Sequence, residues 1–102
     1  MIHVVAVITA KPGMREEILK AFRANVPAVL AEDGCIEYGA VVDTDQPPAF
    51  HTPIGPDTFF VVEKWSSMAA LQAHATSAHM AAYGARTREF IASRKVHVLS
   101  GI

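Results

Sequence analysis

The stretch TFFVVEKW, residues 58–65, gives the clearest strand signal in the chain. Its β-branched and aromatic residues alternate along two faces, with Phe59, Val61, Glu63 and Trp65 on one and Phe60, Val62 and Lys64 on the other. This alternation predicts a β-strand. Both faces are largely apolar, whereas an antiparallel strand with one face in water usually alternates apolar and polar residues. We therefore expect both faces of the strand to be covered.

Upstream of this strand, the sequence predicts a strand, a helix and a second strand. Residues 2–9 are apolar on both faces and indicate a buried strand, and residues 14–30 carry apolar side chains at the three- and four-residue steps of an amphipathic helix. Pro27 lies inside that helix, so we expect a kink or a restart near Asn25. Residues 35–42 form the next strand, with Ile36, Tyr38, Ala40 and Val42 on one face.

Downstream, two short helices and a last strand complete the pattern. Ser66 and Ser67 are N-cap residues for a helix that ends near His74, and Thr76 or Ser77 can cap the next helix. Residues 93–100 read as the final strand. Residues 43–57 hold four of the six prolines and predict a long loop, which acts either as a lid or partner contact or as a tolerated surface insertion.

The order strand, helix, strand, strand, helix, strand predicts one α+β domain over residues 1–102. It corresponds to the ferredoxin-like βαββαβ arrangement, an antiparallel sheet with its helices on one face. Helices on one face leave the other apolar face of the sheet uncovered. A second copy of the sheet is the simplest cover, so we expect a homodimer.

Composition excludes several classes of function. Nine Lys and Arg residues against ten Asp and Glu give a net charge of −1, which offers no attraction to nucleic acid or to an acidic membrane surface. The single cysteine cannot close an intrachain disulfide, and no Cys and His cluster has the spacing of a metal site. We expect a soluble cytoplasmic protein without a bound metal.

The residues that carry chemistry cluster around the third strand and the helices after it. These are Glu63, Trp65, His74, His79 and Tyr83, with Asn25 and Tyr38 reaching the same region from the opposite side. A carboxylate in an apolar space has a raised pKa and can accept a proton, but Glu63 could equally lie at an exposed edge. The two histidines either shuttle a proton or cap helix ends. Trp65 either forms an aromatic wall of a site for a planar ligand or belongs to the core.

Residues 63–80, EKWSSMAALQAHATSAHM, resemble the signature of the antibiotic biosynthesis monooxygenase family. In that signature, Glu-x-Trp precedes a helix ending in His, and a second His opens the next helix. Residues 32–38 are similar to the family's Glu-Pro-Gly-Cys-x-x-Tyr segment, with Asp33 in place of the usual proline. The resemblance covers nearly the whole chain.

This resemblance implies a dimeric α+β barrel and an activity. The family includes small oxygenases that oxidise quinols or phenols with O2 and without a metal, flavin or haem cofactor. For this chain it implies a cofactor-independent monooxygenase acting on a small aromatic substrate. His74 or His79 would take a proton with Glu63 in support, Trp65 would stack on the ring, Asn25 would hold an oxygen, and Tyr38 and Tyr83 would complete the substrate site. Two alternatives stay open: an isomerase or lyase that works by proton transfer alone, and a non-catalytic ligand-binding dimer.

Overall fold

Strands and helices follow one another along the chain in the predicted order. The computed structural model describes all 102 residues. A short 3₁₀ turn over Arg88–Phe90 joins the last helix to the last strand. The elements are β1 (Ile2–Ala10), α1 (Arg15–Leu30), β2 (Cys35–Val41), β3 (Thr58–Trp65), α2 (Met68–Ala75), α3 (Ala78–Thr87) and β4 (Ile91–Ser100).

The four strands form one antiparallel sheet in the order β2-β3-β1-β4. Val4 of β1 lies opposite Glu63 of β3 on one side and opposite Val98 of β4 on the other. This topology confirms the α+β, ferredoxin-like fold. No helix of the chain combines the length and the apolar character needed to cross a membrane.

The alternation along β3 matches the burial of its side chains. Phe59 and Trp65 are fully buried, and Val61 and Glu63 are nearly so, on the face that the helices cover. We call this the inner face. The residues between them point to the outer face, which no helix covers, and they are only half-buried.

Helix α1 runs through Pro27 as one continuous helix, so a restart near Asn25 does not occur. A proline inside a helix costs about 3 kcal/mol. Ile18 and Val29, before and after Pro27, are completely buried against the sheet, and Phe22 is nearly so. Burial of each such side chain contributes roughly 1.5–3 kcal/mol, so packing outweighs the cost of the proline.

A β-bulge shifts the faces of β2. Cys35 lies opposite Trp65, but Glu37 lies opposite the adjacent Lys64, which makes Ile36 the extra residue of the bulge. Cys35 therefore packs against the same core as Tyr38, while Ile36 is half-exposed. The prediction that Ile36 and Tyr38 share a face was wrong because an inserted residue reverses the alternation.

The loop between β2 and β3 has no regular structure but is held by one carboxylate. Asp43 accepts hydrogen bonds from the backbone N–H groups of Ile54 and Gly55, each at 3.0 Å, and lies 2.9 Å from His51 Nε2. These two backbone N–H groups lower the pKa of Asp43. The Arg15 guanidinium donates a hydrogen bond to the Gly55 carbonyl near the end of the loop.

Candidate active site

A cavity of about 800 Å³ lies between the helices and the inner face of the sheet. Hydrophobic side chains make up 15 of its 22 lining residues, and β1 supplies Val4, Ala6 and Ile8. Val96 and Val98 of β4 also line it but stay 42% and 48% exposed, so the cavity opens beside β4. Its volume and apolar character are typical of sites for small organic molecules.

Glu63 places a carboxyl group in this apolar space. The alternation of β3 directs it inward, where 7% of the residue is exposed. Its Oε1 accepts a hydrogen bond of 2.9 Å from the Trp65 indole N–H. Burial raises the pKa of Glu63, and the hydrogen bond from Trp65 and the nearby His74 only partly oppose this effect. Glu63 is therefore suited to exchange a proton with a ligand in the cavity.

His74 lies beside Glu63 at the end of α2. Ser67 begins that helix, because its hydroxyl accepts a hydrogen bond from the Ala70 N–H. The His74 ring is 5% exposed, lines the cavity and lies 4.6 Å from the Trp65 ring, centroid to centroid. Its Nδ1 is 2.6 Å from Glu32 Oε2, a contact in which Nδ1–H donates to the carboxylate. In this tautomer, Nε2 is the acceptor.

Glu32 is a residue of the candidate site that reasoning from the sequence missed. It lies just after α1, and its second oxygen is 3.4 Å from His79 Nε2, so one carboxylate contacts both histidines. The His79 ring is 6.3 Å from the His74 ring and does not line the cavity. Its Nδ1 is buried without a hydrogen-bond partner. The only signal for Glu32 was its place in the motif that begins at residue 32.

Tyr38 and Tyr83 reach the cavity from β2 and α3, and Phe22 lies between them. The Tyr38 ring stacks on Phe22 with centroids 5.1 Å apart, and Tyr83 meets Phe22 edge-on at 6.2 Å. Burial raises the pKa of both phenols, that of Tyr83 to about 12. Both hydroxyls therefore stay protonated near neutral pH and can donate hydrogen bonds to a ligand.

The remaining predicted site residues lie behind the cavity wall. Trp65 has no exposed surface and contacts Glu63 and His74 without lining the cavity. Asn25 is buried beneath Met80, whose sulfur accepts from its Nδ2 at 3.3 Å, and it does not line the cavity either. The structure thus brings Glu63, His74, Tyr38 and Tyr83 to the cavity and places Trp65, Asn25 and His79 around them.

The arrangement combines a proton acceptor, hydrogen-bond donors and an apolar wall. A planar ligand with an acidic hydroxyl could bind against the apolar residues and lose its proton to His74 or Glu63. No group of three or more His, Cys, Asp or Glu side chains is positioned to hold a metal ion.

The fold and the site define a small α+β domain with a ligand-sized cavity whose wall carries Glu63 and His74, both in contact with Trp65. The chain belongs to the antibiotic biosynthesis monooxygenase family, whose model matches residues 1–86. It is 34% identical over 101 residues to an Escherichia coli (strain K12) protein named "Probable quinol monooxygenase YgiN", covering 97% of this chain and 96% of that relative.

Solved structures share the same fold. The chain is similar to PA3566 from Pseudomonas aeruginosa, with a TM-score of 0.82, 26% identity and coverage of 99% of this chain and 93% of the other. A conserved protein from Methanosarcina mazei Go1 has a TM-score of 0.84 and 22% identity. The match covers 99% of this chain and 92% of that protein. The second likeness bears on the fold alone.

Proposed function

We propose that this member of the family is a monooxygenase that oxidises a quinol-like or phenolic small molecule with O2. The observation that carries the proposal is the presence of Glu63 and His74, both in contact with Trp65, at the wall of an apolar cavity of about 800 Å³. The E. coli relative named as a probable quinol monooxygenase supports the same class of substrate.

The chemistry begins with removal of a proton from the substrate hydroxyl. His74 Nε2 accepts this proton, because Glu32 occupies Nδ1, and the charge of Glu32 stabilises the imidazolium that forms. The resulting phenolate is electron-rich and attacks O2 at a ring carbon. One oxygen atom stays on that carbon, which loses its hydrogen, and the other leaves as water, so that a phenol becomes a quinone. The substrate supplies all the electrons, and the balance requires no other reductant.

The cavity assists this reaction by holding the substrate and excluding water. The Tyr38 and Tyr83 hydroxyls would donate hydrogen bonds to substrate oxygens, and the apolar residues of β1 would pack on the ring. Trp65 fixes Glu63 through its indole N–H and packs against His74. Stacking of Trp65 on the substrate ring and contact of Asn25 with its oxygen stay predictions, because neither side chain lines the cavity.

We also propose that the protein acts as a homodimer joined through the outer face of the sheet. Val5 and Val7 of β1 and Phe60 and Val62 of β3 lie on this face and are only half-buried, and Val41 is 48% exposed. All three helices pack on the inner face. A second sheet of the same kind is the surface most complementary to this apolar face.

Oxygen uptake with a reduced naphthoquinol tests the proposed reaction. The protein should accelerate uptake above the spontaneous rate, and mass spectrometry with ¹⁸O2 should find one labelled oxygen atom in the product. His74→Ala and Glu63→Gln should each lower the rate by at least about 100-fold. Glu89→Gln, which alters an exposed residue outside the cavity, should not. An unlabelled product, or equal rates in all variants, would contradict the proposal. Turnover that persists without O2 would favour an isomerase.

A further inference from the structure

Two arginines line the cavity without an acidic partner. Arg94 of β4 lies opposite Ile8 of β1, and Arg88 comes from the 3₁₀ turn that precedes β4. Neither guanidinium forms an ion pair within the chain, whereas Arg23 pairs with Glu16. Two permanent positive charges therefore face a cavity that is otherwise mostly apolar.

Arg94 and Glu63 come from different rows of the sheet, but the charge of Arg94 lies close enough to Glu63 to oppose the rise in the pKa of its carboxyl. Glu63 shares a row of the sheet with Val4, whereas Arg94 shares a row with Ile8. Four residues of β1 separate these rows, which is about 13 Å at a rise of ~3.3 Å per residue. The separation applies to the backbone, and the cavity of about 800 Å³ leaves room for an aromatic ring system beside both side chains.

The charge of the cavity favours an anion beside the arginines. Glu63 is the only acidic residue among the lining residues. Burial raises its pKa, so it offsets the arginines less than an exposed carboxylate would. The planar guanidinium matches a carboxylate with two parallel hydrogen bonds, which gives Arg both affinity and orientation for that group.

We propose that Arg94, together with Arg88 of the same cavity lining, binds a carboxylate substituent of an aromatic substrate whose hydroxyl faces Glu63 and His74. This inference deepens the proposed function and rests on it, since it assumes that the cavity takes an aromatic ring. It names the substrate class as hydroxylated aromatic acids. The carboxylate would also fix which ring carbon lies near the proton acceptor.

A matched pair of probes isolates the effect of the ligand's negative charge on binding. Naphthalene-2-carboxylate and the neutral naphthalene-2-carboxamide have nearly the same shape, and calorimetric titration at low salt gives both affinities. The wild type should bind the carboxylate about tenfold more tightly. Arg94→Gln should abolish this preference, and Arg94→Lys should retain part of it. Arg86→Gln should retain it fully, because the exposed Arg86 on α3 does not line the cavity.

Three results would overturn the inference: equal affinities in the wild type, a preference that survives in the Arg88→Gln, Arg94→Gln double variant, or no binding of either probe. Oxygen uptake by the wild type with a neutral naphthoquinol separates this inference from the proposed function. Uptake together with equal affinities would overturn the arginine subsite alone. A clear carboxylate preference without uptake of oxygen from any quinol would support the subsite and contradict the proposed oxidation.

Discussion

Glu32 determines how the two histidines of the site can act. Its carboxylate is 17% exposed, contacts His74 Nδ1 at 2.6 Å and His79 Nε2 at 3.4 Å, and does not line the cavity. It thus acts through the histidines and is a positioning residue. A carboxylate on one ring nitrogen selects the tautomer that leaves the other nitrogen free to accept a proton.

Glu32→Gln should lower kcat for quinol oxidation by about 10- to 100-fold with a smaller effect on KM, because a misplaced proton acceptor slows the chemical step more than binding. Glu32→Asp should restore part of the rate. The ¹⁵N chemical shifts of the His74 imidazole should report the loss of the Nδ1–H tautomer in the Gln variant. Asp33→Asn, at the exposed neighbouring residue, is the control. A Gln variant with unchanged kcat and unchanged ¹⁵N shifts would contradict the positioning role.

The stability of the fold should report the ionisation of Glu63. Burial raises its pKa in the folded state, so folding favours the protonated carboxyl. This contribution is fully present below the unfolded pKa of about 4.3 and is lost as the pH rises through the folded-state pKa. Each pKa unit between the two states corresponds to about 1.4 kcal/mol.

Glu63→Gln removes this titration, so the free energy of unfolding of the variant should rise relative to the wild type between pH 4 and pH 7. Urea denaturation at several pH values measures the difference. Glu37→Gln, at the exposed carboxylate that pairs with Lys64, should give no such trend. Parallel pH profiles for the wild type and Glu63→Gln would show that Glu63 ionises in the folded state as easily as in the unfolded state.

The sequence predicted the positions of single side chains where these depend on a local pattern. Alternation along residues 58–65 correctly placed Glu63 and Trp65 on one face, and the structure shows that this face is buried. It could not show that the Trp65 indole bonds to Glu63, because that depends on rotamers. Glu32 and His74 are 42 residues apart, and their contact depends on how α2 packs beside the end of α1. No local pattern contains that information.

At the scale of elements, the turn between α1 and β2 positions the helix that carries His74. Gly34 has a φ of +84°, and its carbonyl accepts a hydrogen bond of 2.8 Å from the Ser66 N–H. A Cβ on Gly34 would lie 2.6 Å from both the Ala70 Cβ and the Ser66 Oγ. The turn and the start of α2 are therefore in direct contact, and only glycine leaves space for it.

Gly34→Ala should lower the free energy of unfolding by about 2–5 kcal/mol, because the left-handed conformation costs about 1–2 kcal/mol and the overlap adds about 1–3. Chemical denaturation measures this loss, and quinol oxidation should fall as α2 shifts. Gly13→Ala is the matched control, since Gly13 has a φ of +77° but a Cβ added there would meet no other atom within 4 Å. The control should lose only about 1–2 kcal/mol, from its backbone conformation alone. Equal losses in the two variants would show that the contact with α2 is unimportant.

The predictions for the helices and strands were correct where capping and periodicity agreed. They failed where packing or an inserted residue changed the local structure. Ser67 and Ser77 cap α2 and α3 as predicted. The restart expected at Pro27 does not occur, because the buried face of α1 holds both halves on the sheet. The bulge at Ile36 was missed because an alternating sequence gives no sign of where its alternation reverses.

At the scale of the whole molecule, the protein is a flat slab of 38 × 35 × 21 Å. The short dimension corresponds to one sheet and one layer of helices, each about 10 Å thick. The radius of gyration of 14.1 Å exceeds the ~13 Å expected for a compact domain of this length. The flat shape leaves the outer face of the sheet without a cover from its own chain.

The outer face should join two copies of the chain. The wild type should sediment with twice the mass of one chain at micromolar concentration. Val62→Glu should shift it to the monomer, because Val62 lies opposite both Val5 and Gly39 near the middle of that face and a buried, unpaired carboxylate is strongly unfavourable. Ala24→Glu adds the same charge at an exposed position of α1 and should leave the dimer intact. Far-UV circular dichroism verifies that both variants are folded. A wild-type monomer, or a folded Val62→Glu dimer, would show that this face is not the interface.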